Sequence, residues 1–165
     1  MKRFTSKTDG DILFSCRAAD LKKDIYTKHV YADDKKIFTT DDIRIHATLN
    51  NNRLDYGEYE IVKRTKSELL LVKSNEELTC PLRAINDLLN CDASSLRKFT
   101  YENTPMRYAE IIRAMEENTT IQYPYFLEAI EGMTRFSVEP KKPVILTNGA
   151  QIAVIMYWMK APRIY

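Results

Sequence analysis

Glycine is scarce in this sequence, and its four copies stand apart at Gly10, Gly57, Gly132 and Gly149. Loops that cradle phosphate need clustered glycines so that backbone amides can approach the anion. Neither GxxxxGK[ST] nor GxGxxG occurs, which argues against a P-loop NTPase or a Rossmann oxidoreductase. Histidine is scarcer still. His29 and His46 cannot by themselves fill the three protein positions of a typical catalytic zinc site, and a carboxylate would have to join them. HExxH and CxxC are both absent, so no metal and no cofactor is expected. Cys16, Cys80 and Cys91 form an odd set that suits a reducing compartment, where the thiol behaves as a small apolar group. The expected localisation is cytoplasmic.

Charge of one sign and long apolar runs are also missing. With 25 Lys+Arg against 23 Asp+Glu the net charge is +2, too small for a generic polyanion binder. The basic start, Met1 to Lys7, leads into Thr8-Asp9-Gly10-Asp11 and not into the apolar core of a secretory signal. The longest apolar run, Ile152 to Met159, covers eight residues, whereas a bilayer helix needs roughly 20. No membrane association is expected. A hydrophobic share of 44% over 165 residues is ample for one folded domain, residues 1–165.

The patterning predicts an α+β chain. Ile12 to Cys16 reads as a short strand, and residues 18–30 as polar helix or loop. Ile43, Ile45, Ala47 and Leu49 alternate with Arg44, His46 and Thr48, the period-two pattern of a strand with one wet face. Asn50-Asn51-Asn52 supplies turn chemistry. A second strand follows from Arg53, with a bulge or bend at Gly57, and a third covers Leu69 to Lys73 after a tight turn at residues 64–67. These make an antiparallel meander in the N-terminal half.

Two to three helices occupy residues 81–136. Leu82, Ile85, Leu88 and Leu89 share one stripe after Pro81. Tyr108, Ile111, Ile112 and Met115 form the next, opening at Thr104-Pro105, with Arg107, Glu110, Arg113, Glu116 and Glu117 on its polar side. Phe126, Leu127, Ile130, Met133 and Phe136 make a third buried stripe, opening at Tyr123-Pro124. The prolyl stretch 139–143 ends helical structure, and Asn148-Gly149 closes a C-terminal β-hairpin, residues 143–159, that joins the sheet. Its second strand is apolar on both faces through Met159. It must be covered twice, by helices on one side and by a second layer or another subunit on the other, so this strand is also where the chain would self-associate.

Two segments mix cations with aromatic groups. Lys63-Arg64-Thr65-Lys66 is a basic hairpin turn, and Arg97, Lys98, Tyr101 and Arg107 lie in a stretch that includes Phe99 and Tyr108. Arg and Tyr are favoured anchors in protein interfaces, while basic and aromatic groups together also suit nucleic acid. Ile45-His46-Ala47-Thr48-Leu49 resembles one half of the paired His-x-Thr strands of 2H phosphoesterases. That resemblance implies a His acting as acid or base on a phosphodiester, but its mate is missing, since the other histidine stands in His29-Val30-Tyr31.

The leading expectation is a non-enzymatic protein-binding module of the inhibitor, immunity or adaptor kind. Lys63, Arg64, Lys66, Arg97, Lys98, Tyr101 and Arg107 are its candidate partner-binding residues, with no catalytic residue assigned. A regulatory nucleic-acid binder using the same segments is the first alternative. A small hydrolase with a dispersed site around His46 and carboxylates is the second.

Overall fold

The computed structural model describes residues 1–114, 119–120, 123–139, 141–156 and 158–159, with side chains left aside at 119–120, 123–124 and 158–159. The expectations for Met115, Glu116, Glu117, Pro140 and Tyr157 lie outside the described residues, as do the side chains of Tyr123 and Pro124.

The strands are β1 (Lys2–Thr5), β2 (His29–Ala32), β3 (Lys36–Thr40), β4 (Arg44–Leu49), β5 (Gly57–Arg64), β6 (Glu68–Lys73), β7 (Arg97–Lys98), β8 (Thr119–Thr120), β9 (Arg135–Ser137), β10 (Val144–Thr147), β11 (Gln151–Ile155) and β12 (Trp158–Met159). The helices are α1 (Gly10–Ser15), α2 (Leu82–Leu89), α3 (Thr104–Ala114) and α4 (Tyr123–Ile130). Ten strands form one antiparallel sheet in the order β1-β6-β5-β2-β3-β4-β11-β10-β9-β7, and β8 pairs with β12 apart from it. The α+β class, the N-terminal meander, the helices within 81–136 and the hairpin that joins the sheet are all present.

Short polar side chains make the turns. Asp33 Oδ1 accepts the backbone N–H of Lys35 and of Lys36, both at 2.8 Å, which closes the β2–β3 hairpin. Asp41 Oδ1 does the same for Ile43 and Arg44 before β4. Asn50 Oδ1 accepts from Arg53 and Leu54, and Asn51 and Asn52 take φ of 50° and 59°, left-handed values that asparagine tolerates. Asn148 Oδ1 accepts from Ala150 and Gln151 while Gly149 supplies φ 93° in the β10–β11 turn.

The sheet is covered on both faces. On one, Ile12, Leu13 and Cys16 of the α1 region pack on Val30, Ile37, Tyr59, Leu69 and Leu71. Beside them, Ile111 of α3 and Phe126, Ala129 and Ile130 of α4 pack with Phe14 on Val144, Leu146, Ala153 and Ile155. On the opposite face Ile85, Leu88 and Leu89 of α2 lie against Phe38, Ile45, Ala47 and Val154. β11 therefore sits between β4 and β10 with Ala153, Val154 and Ile155 buried on both sides within the chain.

Several expectations are corrected. Ile12 to Ser15 is helical, not a strand. All four side chains are buried, so the apolar run carries no periodicity that separates strand from helix. The face of β4 expected to be wet is dry: α1 lies over it, and Arg44, His46 and Thr48 are all buried. β5 begins at Gly57 and not at Arg53, and the bulge falls at Val62. The last strand of the main sheet ends at Ile155, and 158–159 pair with β8 instead. In α3 the buried residues are Glu110 and Ile111, while Ile112 is exposed; Glu110 turns inward because its two carboxylate oxygens accept the Thr100 backbone N–H at 2.8 and 3.2 Å. Phe136 is buried on β9 beyond the end of α4, and Leu127 of α4 is 41% exposed. β1, β2 and β3 add strands beyond those that the sequence patterning predicts.

Candidate functional site

One extra residue in β5 decides which cations share a surface. Ile61 stands opposite Leu71, yet Lys63 stands opposite Leu70, so Val62 has no partner position of its own. Leu69 and Leu71 belong to the α1-side core, and Arg64, opposite Leu69, therefore projects to that side. Without Val62 in the bulge, Lys63 would stand there instead.

Arg64 uses this position. Its Nη1 donates to the carbonyls of Cys16 and Ala19, both at 2.9 Å, where the chain leaves α1. Partial burial of the guanidinium lowers its pKa from the ordinary value, though an arginine remains charged across the biological range. Arg64, Thr65 and Lys66 form one wall of a groove of about 600 Å³ whose other walls are Arg17 and Ala19 after α1, Arg44 of β4 and Glu128 of α4. Arg17, Arg64 and Lys66 are exposed around it.

Arg44 is the groove's buried brace. It pairs with Glu128, reaches Asp41 at 3.4 Å, donates through Nη2 to the Arg17 carbonyl at 3.0 Å, and lies 4.2 Å from the centroid of the Tyr125 ring. Four cations thus surround the groove against a single lining carboxylate, and that carboxylate is already engaged by Arg44. Such a site can hold an acidic segment through charge-assisted hydrogen bonds.

The other candidate segment is elsewhere. β5 is third and β7 tenth in strand order, so at about 4.8 Å per strand the two basic segments lie roughly 30 Å apart along the sheet. Arg97 lies over the Phe136 ring at 5.1 Å, with Lys98 exposed beside it on β7. Arg107 donates through Nε to the Tyr101 carbonyl at 2.6 Å and through Nη1 to the Met133 carbonyl, and stands 5.2 Å from the Phe99 ring. It holds loops together. Arg97 and Tyr101 line a separate hollow of about 290 Å³ with Thr100, Glu110 and Arg113. Lys63, on the opposite face to Arg64, pairs with Glu68 at 3.1 Å. Of the seven candidates the structure brings only Arg64 and Lys66 into the groove. It adds Arg17, Arg44 and Glu128, for which only Arg17, a cation directly after a buried apolar run, left a signal in the sequence.

His46 is sealed. It is fully buried, its Nδ1 donates to the Phe14 carbonyl at 3.0 Å, and its ring stacks on Phe14 at 4.4 Å. Burial, with Arg44 adding to it, pushes its pKa down to about 3, so the ring is a neutral imidazole at physiological pH. It has no route to a substrate phosphodiester in this position. Burial likewise pushes the Cys16 thiol up to about 12 and the Cys80 thiol up to about 11, which makes both poor nucleophiles. No helix among the described residues is long and apolar enough to cross a membrane. Comparison with family models, with curated proteins and with solved structures finds no match to this chain.

Proposed function

We propose that the protein is a protein-binding module that holds an acidic segment of a partner protein in the groove between the segment after α1, α4 and the β5–β6 turn. The observation that carries this reading is the Val62 bulge, which turns Arg64 to the same side as Arg17 and Lys66 and fixes it on two backbone carbonyls. A cation already held in place loses less freedom when it pairs, so it contributes more to affinity than a free lysine on a loop.

An acidic protein fits better than a nucleic acid. A polyanion needs a track of phosphate contacts, but the net charge is only +2 and the second basic segment stands at the far end of the sheet. Single-stranded nucleic acid also needs open aromatic faces on which bases stack, and the Tyr125 ring is occupied by the Arg44 guanidinium.

The test is affinity capture from the native host with the wild-type chain and with an R17E/K66E variant as bait, each with and without nuclease. Arg17 and Lys66 are exposed, so the variant is expected to keep the fold. Partners bearing an acidic surface should survive nuclease on the wild type and drop by at least about tenfold on the variant, the order expected when charged interface contacts are reversed. A partner set that is identical on both baits, or that vanishes with nuclease, would sink the proposal.

A further inference from the structure

His29 lies on the face opposite the groove and is fully buried, yet its Nε2 has no hydrogen-bond partner. The Nδ1 atom is engaged: it stands 3.0 Å from Glu58 Oε2, and Leu78 donates its backbone N–H to the same oxygen at 3.4 Å. A carboxylate on Nδ1 selects the Nδ1–H tautomer and leaves the Nε2 lone pair free, the arrangement by which metal-binding imidazoles are oriented. Carboxylates stand close to the ring. Glu60, the residue directly opposite His29 in the β2–β5 ladder, places Oε1 3.9 Å from Nε2. Glu76 arrives from the segment after β6, where its backbone N–H is held by Ser74 Oγ at 3.0 Å. One ligand atom from each of His29, Glu60 and Glu76 lies within 4.8 Å of the others.

We propose that His29, Glu60 and Glu76 bind a divalent transition-metal ion of the zinc class, with Glu58 orienting His29 as its hydrogen-bond partner. Ligands at about 2.0–2.1 Å in a tetrahedron stand roughly 3.4 Å apart. Ligand atoms that lie within 4.8 Å of one another must therefore close by at most roughly 1.4 Å, which half-exposed glutamates achieve by rotamer adjustment. Imidazole with two carboxylates is a borderline-to-hard set that suits zinc or manganese better than a soft ion. Lys28 pairs with Glu76 through Oε2 at 3.2 Å, and a carboxylate has two oxygens, so it can hold the ammonium and a metal together. Three protein ligands leave a fourth position for water or a partner's side chain. The sequence does not display this cluster, because its members come from two cross-strand positions and a following loop.

The test is calorimetric titration of the chelator-treated full chain with zinc chloride, paired with the thermal midpoint with and without zinc. The wild type should bind one equivalent and melt higher with zinc. E60Q/E76Q alters only half-exposed side chains and should keep the fold, by circular dichroism, while weakening binding by at least about tenfold. E58Q should weaken it by about 10–100-fold, as loss of an orienting carboxylate does. C80S should bind as the wild type does. Absence of zinc binding by the wild type, or equal affinity in E60Q/E76Q, would overturn the site.

Discussion

Between pH 7 and pH 4 the wild-type protein is expected to lose roughly 3 kcal/mol of stability that a His46→Asn variant retains. The folded chain holds His46 neutral with a pKa of about 3, against an ordinary value of 6.5 in the unfolded chain. A depressed pKa in the fold means that the unfolded chain takes up the proton first. The stabilisation is therefore complete above about pH 6.5 and fades as pH falls from there toward 3. Asparagine keeps a donor near the Phe14 carbonyl and has nothing to titrate. Urea denaturation at half-unit pH steps measures the difference. Parallel pH profiles for the two chains would show that His46 is not sealed as described. Asp11, whose pKa is held down by its hydrogen bonds to Arg53 and Thr48 against the upward pull of burial, contributes in the same direction only at lower pH.

Phe136→Ala is expected to cost roughly 3–5 kcal/mol, and Leu127→Ala under about 1 kcal/mol. The two residues fall on one helical stripe in the sequence, but the structure treats them differently. Phe136 on β9 is 1% exposed, packs on Phe99 with ring centroids 4.6 Å apart, and carries Arg97 over its ring. Leu127 on α4 is 41% exposed. Gly132, at φ 76°, gives the chain the left-handed residue with which helices commonly end, before it re-enters the sheet as β9. Guanidinium denaturation of the two variants separates the readings: equal losses would return Phe136 and Leu127 to one helical face.

Elements with strong local chemistry were legible in the sequence. Leu82–Leu89 forms a helix between Pro81 and Asn90, and Asn148-Gly149 turns a hairpin, because local residues alone determine both. β2 and β3 were not legible. Each is short, and the charged Asp33-Asp34-Lys35-Lys36 turn between them masks the β-branched and aromatic residues on either side. The polar residues of β4 mislead for a related reason: Arg44, His46 and Thr48 alternate like a wet face, but α1 and the turn after it supply each with a partner, the carbonyls of Arg17 and Phe14 and the Asp11 carboxylate. The groove was half legible. Arg64 and Lys66 stand out in the sequence as cations in a turn, whereas the side on which Arg64 projects depends on the register against β6, which no local pattern encodes. Lys63, its neighbour, goes to the other face for the same reason.

The groove assignment is tested most directly by lysine footprinting of the captured complex with an amine-acylating reagent, read by mass spectrometry against the free protein. Lys66 in the β5–β6 turn and Lys98 on β7 are both exposed and stand near opposite ends of the sheet. Partner binding in the groove predicts that Lys66 is protected while Lys98 labels at an unchanged rate. Protection of Lys98 with Lys66 still reactive would place the partner on the β7 edge and contradict the assignment.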